Sequence, residues 1–115
     1  MANGTYVTSS YFSQTATPAN QRFVSAYKAR FPTAGEPNGS GAAAYDAVYM
    51  LQEAMRRVGT DRKAVRDAFA GIGTATPAFE GAMGTIAFDE NGDVPSLKIY
   101  VGQVRDGVMQ PAEGQ

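Results

Sequence analysis

"FEGAMGTIAFDENGD", residues 79–93, is the stretch whose reading decides the fold. A short apolar run ends there in the acidic cluster Asp89-Glu90-Asn91-Gly92-Asp93. The cluster can be a metal loop, a turn between strands, or the marker of a larger fold. As a calcium loop, Asp89, Asn91 and Asp93 take the first, third and fifth positions. Such a loop then needs glycine at the sixth position and a bidentate glutamate at the twelfth. Val94 and Tyr100 stand there instead, and the flanks read as strands rather than helices. Asn91-Gly92 between two strand-like runs is a hairpin signal, because both residues tolerate the positive φ of tight turns. This reading predicts paired strands at 85–88 and 97–104, with the acidic side chains solvating the turn.

Upstream, apolar periodicity predicts three helices. Thr17 can cap the first, and Pro18 suits its first position, where a missing N–H costs nothing. Phe23, Tyr27 and Phe31 recur every four residues beside Val24, and Pro32 stops the helix. Residues 33–41 form a loop by composition. The second helix is expected over 41–58 with Ser40 as its cap. Ala44, Val48, Leu51, Met55 and Val58 are spaced to share one buried face, and Gly59 ends it. Thr60 or Asp61 caps a third helix to about residue 70, with Val65, Ala68, Phe69 and Ile72 inward and Gly71 as the stop. Residues 5–12, rich in β-branched and aromatic side chains, read as a strand. Residues 71–78 are a linker, 105–107 a turn followed by a short strand at Val108-Met109, and 111–115 are expected to fray.

Composition narrows the function classes. The 115 residues make one domain's length, with 43% hydrophobic and 18% charged residues, ordinary globular usage. Net charge is −1, so no basic footprint points to nucleic acid. Neither cysteine nor histidine is present. That excludes disulfides, thiolate nucleophiles, Cys/His zinc sites and a Ser-His-Asp triad within the chain. No apolar run is long enough to span a bilayer, and "MANGTYVTSS" lacks the regions of a signal peptide.

Few motifs carry chemistry. Gly39-Ser40-Gly41-Ala42-Ala43-Ala44 fits a dinucleotide fingerprint formally, but that pattern needs a buried strand before it, and "RFPTAGEPN" is none. Glu80, Asp89 and Asp93 could form a carboxylate pair, yet nothing marks any of them as buried. Ser9, Ser10 and Ser13 have no histidine base. No cofactor is implied. Tyr45 is either a packed aromatic with a satisfied hydroxyl or the wall of a ligand cleft, offering an apolar face and a polar tip.

In order, "YFSQTATPANQRFVSAYKARF", "AAAYDAVYMLQEAMRRVGTDRKAVRDAFAG", "FEGAMGTIAFDENGDV" and "IYVGQVRDGV" resemble the C-terminal third of periplasmic substrate-binding proteins. The type is the one serving branched-chain amino-acid ABC importers. The resemblance implies an α/β protein, part of a periplasmic-binding-protein type I fold: three helices on a small sheet with a C-terminal β-hairpin. It implies one fragment over 1–115, with an inter-lobe crossover strand at 5–12, a helical part at 17–72 and a hairpin part at 79–110. The implied role is non-enzymatic: cleft closure around a small polar solute, an amino acid or amide, in partnership with an ABC permease. The implied place is the periplasm or a membrane-anchored extracellular site, with the signal peptide outside this chain. A ligand sensor of the same fold is the alternative. Ligand contacts carry over only to Tyr45, near the cleft edge of its helix, and then to Tyr11, near the crossover. A chain with so thin a core is expected to expose apolar surface and to self-associate or swap elements.

Overall fold

The computed structural model describes residues 3–113. Its order is β1 (Tyr6–Ser9), α1 (Pro18–Arg30), α2 (Gly39–Val58), α3 (Arg62–Ala70), β2 (Phe79–Gly81), β3 (Gly84–Ile86), β4 (Tyr100–Arg105) and β5 (Val108–Pro111). The helix ends follow from local chemistry. The Thr17 hydroxyl accepts from the Asn20 amide, and Pro18 opens α1. Asn38, rather than Ser40, caps α2 by accepting from the Gly41 amide at 2.9 Å, so the helix starts two residues earlier than its periodicity suggests. Gly59 ends α2 at a φ of 77°, a conformation that costs glycine least. Asp61 caps α3 through the Ala64 amide at 2.9 Å, and Gly71 closes it.

The strands form two antiparallel sheets, β1-β4-β5 and β2-β3. The hairpin expected around Asn91-Gly92 is therefore corrected. The turn exists: Asp89 Oδ1 accepts from the amides of Asn91 and Asp93, each at 2.9 Å, and Gly92 has a φ of 83°. The strands on its two sides do not pair with each other, however. β3 folds back on β2 through Ala82-Met83, with Phe79 opposite Ile86. β4 lies between β1 and β5, with Tyr6 opposite Gln103 and Arg105 opposite Val108. Residues 97–99 are not strand, because Pro95 has no amide to donate and Leu97 donates back to Val94 in a turn. The C-terminal β-hairpin is β4–β5, turned at Asp106-Gly107 with φ values of 50° and 78°. Its end is held, since Ala112 donates to Val101 and Arg105 pairs with Glu113 at 2.9 Å. Of the residues expected to fray, Gly114 and Gln115 lie outside the described residues, as do Met1 and Ala2.

Two apolar clusters hold the helices to β2–β3. Tyr11, Phe23, Ala42 and Ala82 form one; Met50, Ile72 and Ile86 form the other. Met83 packs against both and joins them. A second expectation is overturned here. α2 turns Ala42, Asp46, Met50 and Ala54 inward, and the row read as core is exposed: Val48 65%, Leu51 42%, Met55 37%, Val58 41%. The reason is that Asp46 binds the β2–β3 turn and sets the rotation of the helix. Periodicity finds an apolar stripe without saying what covers it.

The molecule is open for its length. Its radius of gyration is 16.2 Å, against about 13 Å for a compact chain of this size. Its accessible surface is 7610 Å², about 1,600 Å² beyond what a compact monomer of this mass presents. The expectation of exposed apolar surface thus holds, with Tyr6, Ile99 and Val108 adding to the α2 row.

Candidate functional site

Tyr45 lies in the second turn of α2, half-buried. Its ring lies 4.8 Å from Phe23 and 4.8 Å from Tyr49, centroid to centroid. It faces an open pocket of about 440 Å³ between α1, α2 and β2. Arg22, Tyr49, Arg56, Phe79 and Glu80 share that lining. Among the described residues, neither Arg22 nor Arg56 is in an ion pair. The pocket therefore offers aromatic faces, hydroxyls and both signs of charge, a set suited to a small polar or amphipathic molecule. The hydrogen bond with Tyr49, and then burial, raise the Tyr45 hydroxyl above the ordinary tyrosine range, so it stays a neutral donor.

Tyr11 belongs to the core behind this pocket. Its hydroxyl donates to Asn20 Oδ1 at 2.8 Å, and its ring meets Phe23 edge-on at 6.3 Å. The two tyrosines named from sequence thus join one cluster through Phe23, Tyr45 at its rim and Tyr11 inside. Asn20 is fully buried and passes the contact on, donating through Nδ2 to the carbonyls of Ser13 and Thr15 at 3.0 and 2.8 Å. This network fixes the segment that leads from β1 into α1.

Burial first, then the charges of Glu36 and Asp46, push the Tyr11 pKa up to about 12. The folded state therefore holds this proton more tightly than the unfolded chain, whose tyrosine titrates near 10. The resulting stability is complete below pH ~10 and is lost as pH rises toward ~12. Urea unfolding at pH 8, 10 and 11 is expected to show that decline, and Tyr11→Phe to flatten it. At neutral pH the variant loses about 1 kcal/mol with the Asn20 hydrogen bond. An identical alkaline decline in both proteins would assign it to other groups.

Asp46 was missed as a site-forming residue. It is 2% exposed, and its two carboxylate oxygens accept from the Ala82 and Met83 amides, each at 2.8 Å. It thereby ties the Tyr45 turn of α2 to the β2–β3 turn and forms part of the pocket lining. The signal was an aspartate set among apolar residues in "AAAYDAVYM", followed by the glycine-bracketed "GAMG". Glu80, Asp89 and Asp93 are not gathered into a pair. Glu80 accepts from the Thr85 hydroxyl, while Asp89 and Asp93 serve the loop turn.

Comparison with known proteins matches this fold and sequence to one family. A family model described as periplasmic binding protein matches residues 1–108. No curated protein matches the sequence. Among solved structures, the leucine-binding protein of Thermotoga maritima is 31% identical with a TM-score of 0.80, over 96% of this chain and 30% of its own. An ABC transporter substrate-binding protein of Desulfitobacterium hafniense, solved in complex with Leu, is 26% identical with a TM-score of 0.78, over 96% of this chain and 32% of its own. A solute-binding protein of R. palustris in complex with benzoate shares the fold at 21% identity and a TM-score of 0.78, over 95% of this chain and 29% of its own. The chain thus spans about a third of the length of these structures. With a family model covering nearly its whole length, the chain belongs to the periplasmic binding protein family and has the α/β architecture of part of the type I fold.

Proposed function

We propose that this chain is the C-terminal portion of the extracytoplasmic solute-binding component of an ABC importer, taking an amino acid or related small amide by cleft closure. The observation that carries the reading is the match over 96% of the chain to two proteins named for leucine or solved with it. Binding of this kind needs no chemistry: ligand favours the closed state by its differential affinity for it. β1 and β4, paired antiparallel and remote in sequence, are the proposed crossing strands between the lobes. Tyr45 is the proposed solute contact, through its ring face and neutral hydroxyl. Tyr11 stands behind it, its hydroxyl already donated to Asn20. The permease and an anchored or periplasmic location follow from the same reading.

The test is calorimetry with leucine, isoleucine and small amides. The 115-residue chain is expected to bind none of them tightly, because one wall of a cleft leaves most of a ligand in water. In the longer polypeptide that would carry both lobes, Tyr45→Ala is expected to weaken binding by about tenfold, or ~1.4 kcal/mol. Micromolar affinity in the 115-residue chain would sink the requirement for a second lobe. Unchanged affinity of the Tyr45→Ala protein would remove Tyr45 from the site.

A further inference from the structure

The pocket beside Tyr45 holds one charge that the proposed contact at Tyr45 leaves unused. α1 turns Ala19 and Arg22 toward it, three residues apart on one helix face, and α2 supplies Tyr45 and Tyr49. Besides its hydrogen bond with Tyr49 and its burial, the Tyr45 hydroxyl feels the charges of Arg22 and Asp46. Asp46 is spent, since both its oxygens accept backbone amides. Arg22 is exposed and in no ion pair among the described residues. Resting on the solute-binding reading, we propose that Arg22 anchors a carboxylate of the solute, whose apolar body lies on the Tyr45 and Tyr49 rings.

The other charges of the pocket lie away from this end. Glu53 and Arg56 follow Tyr45 by eight and eleven residues, about 12 and 16 Å along the helix. They carry opposite signs and stand three residues apart, neighbours on one face. Glu80 borders the adjoining cavity of about 280 Å³ together with Glu53 and Arg57, and its carboxylate accepts from the Thr85 hydroxyl. The unmatched charge at the aromatic end is therefore positive. A guanidinium offers a carboxylate two parallel N–H donors, and the ring faces take an aliphatic or aromatic body. A primary amide brings no counter-charge to Arg22. The arrangement thus narrows the solute from an amino acid or amide to an amphipathic molecule bearing a carboxylate.

An ion pair at an open site is weak, so the test is an NMR titration of the 115-residue chain at millimolar ligand. The probes are leucine, isocaproate (leucine without its amino group) and leucinamide (the same body without a carboxylate). Leucine and isocaproate are expected to shift the amide signals of Arg22, Tyr45 and Tyr49, and leucinamide to bind about threefold to fivefold more weakly. Arg22→Gln is expected to weaken isocaproate by a like factor and Arg22→Lys to keep most of its affinity. Arg30→Gln, the same charge change further along α1, is expected to leave it unchanged. The comparison of isocaproate with leucinamide needs no substitution and decides the outcome should Arg22→Gln not fold. Equal affinity for leucine and leucinamide would overturn the anchor and leave the solute-binding reading standing. Isocaproate binding with leucine silent would keep the anchor and sink the amino acid as solute. No shift with either carboxylate, or an Arg22→Gln chain that binds isocaproate like the parent, would overturn the anchor.

Discussion

Asp46→Asn is expected to lower the stability of the chain by about 2–4 kcal/mol, read as a shift of the urea midpoint. The carboxylate accepts two backbone amides, those of Ala82 and Met83, each at 2.8 Å. An asparagine has one acceptor oxygen, so its NH₂ must face one of these amides donor to donor. One buried amide is then left without a partner, and the loss falls on a hydrogen bond to a charged acceptor, the stronger kind. The β2–β3 turn has no comparable anchor among the described residues. The variant is therefore expected to loosen the hairpin first, with faster amide exchange at Ala82 and Met83 than across β1–β4. A loss under about 0.5 kcal/mol, or uniform exchange, would show that packing alone holds the turn.

Gly81→Ala is the second large effect, and its cause is the same carboxylate. A Cβ on Gly81 would lie 2.6 Å from Asp46 Cγ and 2.8 Å from its Oδ1, with Oδ2 closer still. No soft side-chain end can yield there, because both oxygens are engaged by backbone amides. The expected cost is about 2–3 kcal/mol, from overpacking and the displaced hydrogen bonds. The cycle with Asp46→Ala makes the cause specific. Removing the carboxylate leaves room for the new methyl, so Gly81→Ala is expected to cost less than about 1 kcal/mol in that background. Strict additivity would place the strain elsewhere.

These two residues explain why "AYDAV" followed by "FEGAMG" behaves as one marker although the parts lie far apart in sequence. The aspartate supplies two acceptors, and the glycine lets the strand come close enough to use them. Sequence reading recognised the ordered set but assigned Asp46 no task, since a lone acid in a helix is ordinarily solvated. Asn20 escaped notice for a like reason: its neighbours in the chain give no sign that Tyr11 and two loop carbonyls converge on it. Tyr45 and Tyr11 were legible as aromatics near a helix start and a strand end. That one stands at the pocket rim and the other in the core depends on Phe23 between them.

Local chemistry determined much of this protein by itself. Caps, prolines and glycines placed the ends of three helices, Asp106-Gly107 placed a turn, and the ordered motifs placed the family. These signals act over a few residues, where the backbone preferences of each side chain decide the outcome. Tertiary structure decided the rest, because it turns on what each face meets. Asn91-Gly92 makes a turn whose flanking strands find other partners, β2 for β3 and β1 with β5 for β4. The apolar row of α2 faces outward because a buried carboxylate, held by the β2–β3 turn, fixes the rotation of the helix. An apolar stripe records that a surface is to be covered; which surface covers it is settled only by contacts remote in sequence.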